Sequence, residues 1–206
     1  MFRIICIVIG YLIGCFPTAY ILGKTVKQID IRQFGSGNAG TTNVIRVLGW
    51  KSGIITFIGD LLKGILAVVI CKMLFPDNPA AGLYAGAAAV AGHNWPVFLR
   101  FKGGKGIATT IGILVAFDYR IGIICAVIMA VVILVTRFVS LGSILMAVCI
   151  PILFLIFWKS NYELVILSIF LMISALLRHR TNIERLLTGK ESKLGQRSNK
   201  KVEEKQ

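Results

Sequence analysis

IICIVIGYLIGCFPTAYIL, residues 4–22, is an unbroken apolar run long enough to cross a bilayer as a helix. Gly10 and Gly14 are spaced to let a neighbouring helix approach, and Pro17 marks a kink near its end. Leu12-Ile13-Gly14-Cys15 has the form of a bacterial lipoprotein cleavage box, so the competing reading is a removed signal. Arg3 alone is a thin basic flank, however, and apolar sequence continues well past the supposed cut, which favours a first spanning helix.

If that run is a helix in lipid, the rest of the chain must be read the same way. Of 206 residues 56% are hydrophobic and only 16% charged, and a mean hydropathy of +0.81 is too high for a soluble domain of this length. Further apolar runs cover 54–75, 80–98, 107–117, 121–136, 138–158 and 162–177. The 107–117 piece is short, either a short helix that needs its neighbours or a re-entrant segment. The expected fold is therefore all-α, a polytopic integral membrane protein of about seven transmembrane helices with short or re-entrant segments. No internal repeat or linker divides it, so residues 1–206 are expected to form one membrane-embedded domain. Residues 178–206 make a basic tail in which Asn182, Ile183, Leu186 and Leu187 outline a short amphipathic helix, with a polar, frayed stretch from Ser192 onward.

The formal charge of +14 is placed in the connections. Residues 23–52, 99–106, 136–140 and 178–206 hold 18 of the 23 Lys and Arg, while Arg3, Arg120 and Lys159 fall on the other side. The positive-inside rule then puts the N-terminus out and the C-terminus in. Bases confined to membrane connections suit anionic lipid or substrate and not nucleic acid, which needs a basic face on a soluble fold. The five cysteines lie within apolar runs without C-x-x-C spacing, so neither a disulfide framework nor a metal site is indicated.

Two connections carry chemistry. In Phe34-Gly-Ser-Gly-Asn-Ala-Gly-Thr-Thr-Asn-Val-Ile-Arg46, Gly35, Gly37 and Gly40 let backbone N–H groups converge; Ser36, Asn38, Thr41, Thr42 and Asn43 add donors, and Arg46 adds a charge suited to phosphate. Gly103-Gly104-Lys105-Gly106 repeats that chemistry without being a Walker A loop, because the earlier glycine and the hydroxyl after Lys are missing. His93 precedes the second loop, and Arg178, His179, Arg180 and Asn182 open the tail. Three such clusters on one face suggest a phosphate-bearing substrate whose other end lies in lipid. Asp60 and Lys63, one turn apart in mid-span, must face protein or water, either as a structural ion pair or pointing into a site, since a charge at the centre of a lipid-facing helix costs about 3 kcal/mol.

These residues, together with Gly59-Asp60 to Lys63-Gly64, Gly92-His93-Asn94 to Phe98, Phe101 to Thr109, His179-Arg180-Thr181-Asn182-Ile183 to Arg185-Leu186 and Gly189-Lys190-Glu191, resemble the bacterial membrane acyl-phosphate:glycerol-3-phosphate acyltransferases, the PlsY family. The resemblance runs from the first span into the tail. It implies transfer of a fatty acyl group from acyl phosphate to the 1-hydroxyl of sn-glycerol 3-phosphate, giving lysophosphatidate and inorganic phosphate, the first acylation of phospholipid synthesis. It also implies a site at the cytoplasmic face of the bacterial inner membrane, no cofactor, no obligate protein partner and no partners beyond the two substrates and membrane lipid.

Carried over position by position, the resemblance implies Ser36, Arg46 and Lys105, helped by the Gly103 and Gly104 amides, for phosphate recognition. His179 and Asn182 would hold glycerol 3-phosphate or the reacting carbonyl, so that the expected catalytic group is His179, Asn182, Ser36 and Lys105. Asn38, Gly40, Asn43 and His93 complete the expected binding set. The His-x-x-x-x-Asp dyad of other acyltransferases is absent, because the fifth residue after His93 is Phe98. The base is then His93, His179 or a substrate phosphate oxygen, and the missing dyad favours the last. The rival class is a transporter or channel for an organic phosphate, for which mid-membrane Asp60 and Lys63 would serve, although repeat symmetry is missing.

Overall fold

The structure, a computed structural model, describes residues 1–195. The last part of the polar stretch expected to fray, 196–206, lies outside them. Ten α-helices follow one another without strands among the described residues: α1 (Phe2–Gly14), α2 (Thr18–Lys27), α3 (Thr41–Leu48), α4 (Trp50–Leu74), α5 (Ala81–Asn94), α6 (Ile107–Phe117), α7 (Tyr119–Thr136), α8 (Val139–Phe157), α9 (Tyr162–Arg178) and α10 (Arg180–Leu187). By length and composition, four segments could cross a membrane: α1 with α2 as Phe2–Lys27, α4, α7 and α8. A fifth arises if α9 and α10, bent by 60°, count as one.

Helix α5 and helix α6 fall short of that length for a reason visible in their burial. At 14 and 11 residues they rise only about 21 and 16 Å, yet nearly all of α5 and most of α6 is buried against other helices. The outer helices do the reverse: Ile4, Leu12, Leu62, Leu134, Ile156 and Ile166 are exposed, as a lipid-facing surface requires. The third apolar run, expected to span as 80–98, stops being α-helical at Asn94. Pro96 cannot continue the ladder, and a short 3-10 turn, Val97–Leu99, takes its place.

Close packing follows the small residues. A Cβ on Gly10 or Gly14 would overlap the backbone of Ala85 or Ala89, so α1 lies directly on α5 as their spacing predicts. Across α4 and α6 the contact is reciprocal, with Gly64 against the Thr109 carbonyl and Gly112 against that of Leu61. The apolar core then fills with Leu83, Ile113, Ile121, Met146, Ile150 and Phe154. Helix α6 does not turn back on itself. It ends at Phe117, whose ring packs on Trp158 beyond the far end of α8, and Asp118 accepts a hydrogen bond from Trp158 Nε1 at 3.0 Å. The bundle thus gathers the C-termini of α5 and α9 and the N-termini of α6 and α8 at one end, where the glycine loops lie.

Pro17 breaks the first span into α1 and α2 and leaves the Phe16 carbonyl outside the helical ladder. Lys63 Nζ takes that carbonyl at 3.0 Å, a contact that matters at the site.

Candidate functional site

Three helix N-termini converge on one cavity of about 170 Å³. Helix α3 presents Gly40, Thr41 and Thr42, α6 presents Gly106, Ile107 and Ala108, and α10 presents His179 and Asn182. None of the three has a side-chain cap, so the positive end of each helix is left to an anion, although the Asn43 and Asn182 backbone amides close on the Gly40 and His179 carbonyls. Around them stand Arg46, Lys105 and Arg185, with Glu191 as counter-charge. Part of the wall is apolar, made by Phe57, Met129 and Val139. A second cavity of about 570 Å³ adjoins it, sharing Ser36, Asn38, Lys105 and Arg185 and adding Lys102 and Arg180.

Arg46 and Lys105, from loops far apart in sequence, thus line the same cavity, along with Ser36, Asn38, Gly40, Asn43, His93, His179 and Asn182. Their jobs differ. Asn43 is 1% exposed and its amide is spent on the loop: Oδ1 accepts the Ser36 N–H at 2.8 Å, and Nδ2 donates to the carbonyls of Ile31 and Phe34 at 3.1 and 3.0 Å. It shapes the first cradle and has little left for a ligand. Gly35, at φ +60°, lies so close that a Cβ would overlap Asn43 Oδ1, which explains the glycine.

The second loop departs from expectation. The amides of Gly103 and Gly104 donate to the Asn94 and His93 carbonyls at 3.2 and 3.0 Å, closing the C-terminus of α5, and so cannot also hold phosphate. Their carbonyls accept from Arg178, Nη2 to Gly103 at 3.2 Å and Nε to Gly104 at 2.9 Å. Arg178, expected to face an anion, is therefore a brace. What the loop delivers is Lys105, whose Nζ donates to Asn182 Oδ1, and the N-terminus of α6.

Asn182 Nδ2 donates to Glu191 Oε1 at 2.7 Å, an oxygen that Ser140 Oγ also reaches at 2.8 Å, while Arg185 Nε donates to Glu191 Oε2 at 2.8 Å. Burial raises the Glu191 carboxyl pKa, but the hydrogen bonds from Arg185, Asn182 and Ser140 outweigh it and hold the group below the ordinary Glu range. Glu191, Arg185 and Ser140 were not among the expected site residues. A carboxylate between Lys190 and Lys193 in a basic tail was the available signal.

Electrostatics follow from burial. Lys105 is pushed down to about 8, mostly by desolvation and further by Arg185, Arg178 and Arg46, with Glu191 opposing. His179 falls to about 4, again by burial first and then by the Lys105 charge. Its Nδ1 lies 2.8 Å from the Ala175 carbonyl, which can only accept, so the proton is on Nδ1 and Nε2 keeps its lone pair. Burial also lowers Arg46, but a guanidinium remains charged.

Asp60 and Lys63 prove to be a pair that also reaches a site. Lys63 Nζ lies 2.8 Å from Asp60 Oδ1 and 2.8 Å from His93 Nδ1, and both Asp60 and His93 line the cavity.

A family model described as glycerol-3-phosphate acyltransferase matches residues 4–189. The chain is 50% identical to the glycerol-3-phosphate acyltransferase of Thermoanaerobacter pseudethanolicus over 96% of its own length and 98% of the relative's. With the enzyme of that name from Clostridioides difficile it shares 44% identity, over 94% and 96%. Two crystal structures of PlsY, an integral membrane glycerol 3-phosphate acyltransferase, superpose on it. The glycerol 3-phosphate form gives a TM-score of 0.86 at 35% identity, covering 94% of this chain and 96% of that one. The lysophosphatidic acid form gives 0.83 at 34%, covering 94% and 95%.

Proposed function

The chain belongs to the glycerol-3-phosphate acyltransferase family and is a multi-pass membrane acyltransferase, and from that premise we propose that it moves a fatty acyl group from acyl phosphate to the 1-hydroxyl of sn-glycerol 3-phosphate in phospholipid synthesis. The observation that carries this reading is the cavity itself: three uncapped helix N-termini and three cationic side chains at one end of an otherwise apolar bundle, with Phe57, Met129 and Val139 forming an apolar part of the wall. Two adjoining basic cavities suit two phosphates, and the apolar wall suits an acyl tail that stays in the membrane. The topology that fits is one domain of seven crossings with N-terminus out, the short α5 and α6 being internal crossings and the cavity at the cytoplasmic face of the inner membrane.

In the reaction, the glycerol 1-hydroxyl oxygen bonds to the acyl carbonyl carbon, the bond from that carbon to the bridging phosphate oxygen breaks, and phosphate departs. Lys105, Arg46, Ser36 and the helix N-termini hold the anions, while His179 Nε2 and Asn182 orient the hydroxyl and the carbonyl. The proton goes to a substrate phosphate oxygen. Burial and the Lys105 charge hold His179 down at about 4, which makes it a weak base beside a substrate phosphate.

Purified protein given acyl phosphate and glycerol 3-phosphate should release lysophosphatidate and inorganic phosphate, and should not use acyl-CoA or acyl carrier protein directly. A protein that instead carried organic phosphate into vesicles without acyl transfer would be the transporter. His179→Ala should lower kcat by about 10- to 100-fold; a loss beyond about 10⁴-fold with KM and folding intact would make His179 the base.

A further inference from the structure

Asp60 and His93 line the cavity and Lys63 contacts both, yet the acyl transfer as described gives none of the three a role. We propose that it is a tautomer lock: Lys63, anchored by Asp60 and the Phe16 carbonyl, holds His93 with its proton on Nε2, so that His93 faces the cavity as a donor to an anionic substrate oxygen. The assignment deepens the acyltransferase reading and rests on it.

Three facts lead there. First, the Lys63 ammonium has three N–H donors and three acceptors around it, Asp60 Oδ1 at 2.8 Å, His93 Nδ1 at 2.8 Å and the Phe16 carbonyl at 3.0 Å. An ammonium has no lone pair to offer, so Nδ1 must accept and the neutral imidazole carries its proton on Nε2. Asp60 Oδ1 lies 3.5 Å from His93 Nδ1, a longer and weaker partner for that nitrogen than Lys63 at 2.8 Å. Second, Asp60, Lys63 and His93 are 2%, 6% and 7% exposed, so water does not compete for these contacts. Third, the other edge of the ring meets Gly104, where a Cβ would overlap Nε2. The missing side chain leaves room beside that nitrogen, and His93 is among the residues that line the cavity.

His179 is held the opposite way, Nδ1–H on the Ala175 carbonyl and Nε2 a lone pair. The cavity therefore receives one histidine as donor and one as acceptor. That complementarity suits a reaction in which a hydroxyl must be oriented while charge grows on an oxygen beside it. Lys63 and Asp60 never touch the substrate in this arrangement and are positioning residues. The sequence hid the lock, because Lys63 and His93 are thirty positions apart and on different helices.

The chain has two histidines, so imidazole nitrogen NMR of the full-length protein in detergent, without substrate, reads both, and His93→Gln assigns them. The expected pattern is a bare Nδ1 and protonated Nε2 for His93, and the reverse for His179. Lys63→Met should mix the His93 tautomers, leave His179 unchanged and lower kcat by about tenfold or more. Should that variant fold poorly for want of a partner to Asp60, Asp60→Asn combined with Lys63→Met removes both buried charges and carries the same expectation. His93→Gln, whose side-chain amide still donates at about the same reach, should keep activity within about tenfold, whereas His93→Ala should lose about a hundredfold. A rise in the KM for glycerol 3-phosphate would place the accepting oxygen on that substrate, and a fall in kcat alone would place it on the acyl phosphate. A protonated His93 Nδ1, an unchanged His93 spectrum in Lys63→Met, or His93→Gln as inactive as His93→Ala would overturn the assignment. Wild-type protein that makes no lysophosphatidate would end the acyltransferase reading instead and leave the tautomer result standing.

Discussion

Lys105, in the second glycine loop, donates its ammonium to Asn182 Oδ1 at the head of α10, joining residues 77 positions apart. The amide of Asn182 points its other end at Glu191, so this side chain is a polar hinge between a cation and a carboxylate, and only an amide satisfies both. Asn182→Asp preserves shape but sets a second carboxylate against Glu191 Oε1, at the position where Asn182 Nδ2 now donates across 2.7 Å. The expected result is a loss of activity of about a hundredfold, as for removal of one preorganised donor, with membrane insertion intact. Steady-state kinetics beside a size-exclusion profile in detergent checks it.

Lys105 also sets an alkaline limit. Held down to about 8, its ammonium is present below that pH and lost above it. Because the charge serves to attract phosphate, the loss should appear in KM. The KM for the phosphate substrates should rise about tenfold per pH unit above pH 8, with kcat nearly flat. Lys105→Arg stays protonated and should abolish this limb while lowering activity overall. A limb unchanged in Lys105→Arg would assign the titration elsewhere.

Glu191 raises the Lys105 pKa by its charge. Glu191→Gln should therefore move the alkaline limb to lower pH, and it should also loosen the segment after α10 that Glu191 ties to Ser140. The folded carboxyl pKa is lowered, so its contribution to stability is fully present above the ordinary Glu range and is lost as pH falls through the folded value. Limited proteolysis of this segment at pH 7 should cut the variant faster than wild type, and the difference should narrow only as pH falls well below the ordinary Glu range.

Two glycine substitutions should part company. At Gly104 a Cβ would overlap His93 Nε2 and fall 2.7 Å from the Ala39 carbonyl, so Gly104→Ala should cost about a hundredfold in activity. At Gly49 a Cβ meets nothing within 4 Å, but φ is +88°; Gly49→Ala should cost about 1 to 2 kcal/mol of stability and leave kcat unchanged. Thermal unfolding in detergent run beside the acyl-transfer assay reads both.

Much of the site was legible because its residues are out of place. Glycine, serine, asparagine and arginine at 34–46, and Gly-Gly-Lys-Gly at 103–106, stand out in an apolar chain, and they do meet in one cavity. The jobs of individual groups were not legible. A glycine looks the same in sequence whether its N–H points at a ligand or, as at Gly103 and Gly104, at the end of the preceding helix. Asn43 likewise reads as a ligand donor until its three bonds to the loop are seen. Arg178 reads as a phosphate contact until its guanidinium is found on two carbonyls.

Composition and the 4–22 run by themselves determined that this is a helical membrane protein, because bilayer thickness and the cost of unsatisfied backbone groups admit few other solutions. Gly10 and Gly14 marked a close helix contact for the same local reason, the absence of a side chain. Only the tertiary structure decided that α5 and α6 are internal, that Lys63 reaches across to His93, and that three helix N-termini open onto one space. Those outcomes depend on which helices are neighbours, and that is settled by packing between segments distant in sequence.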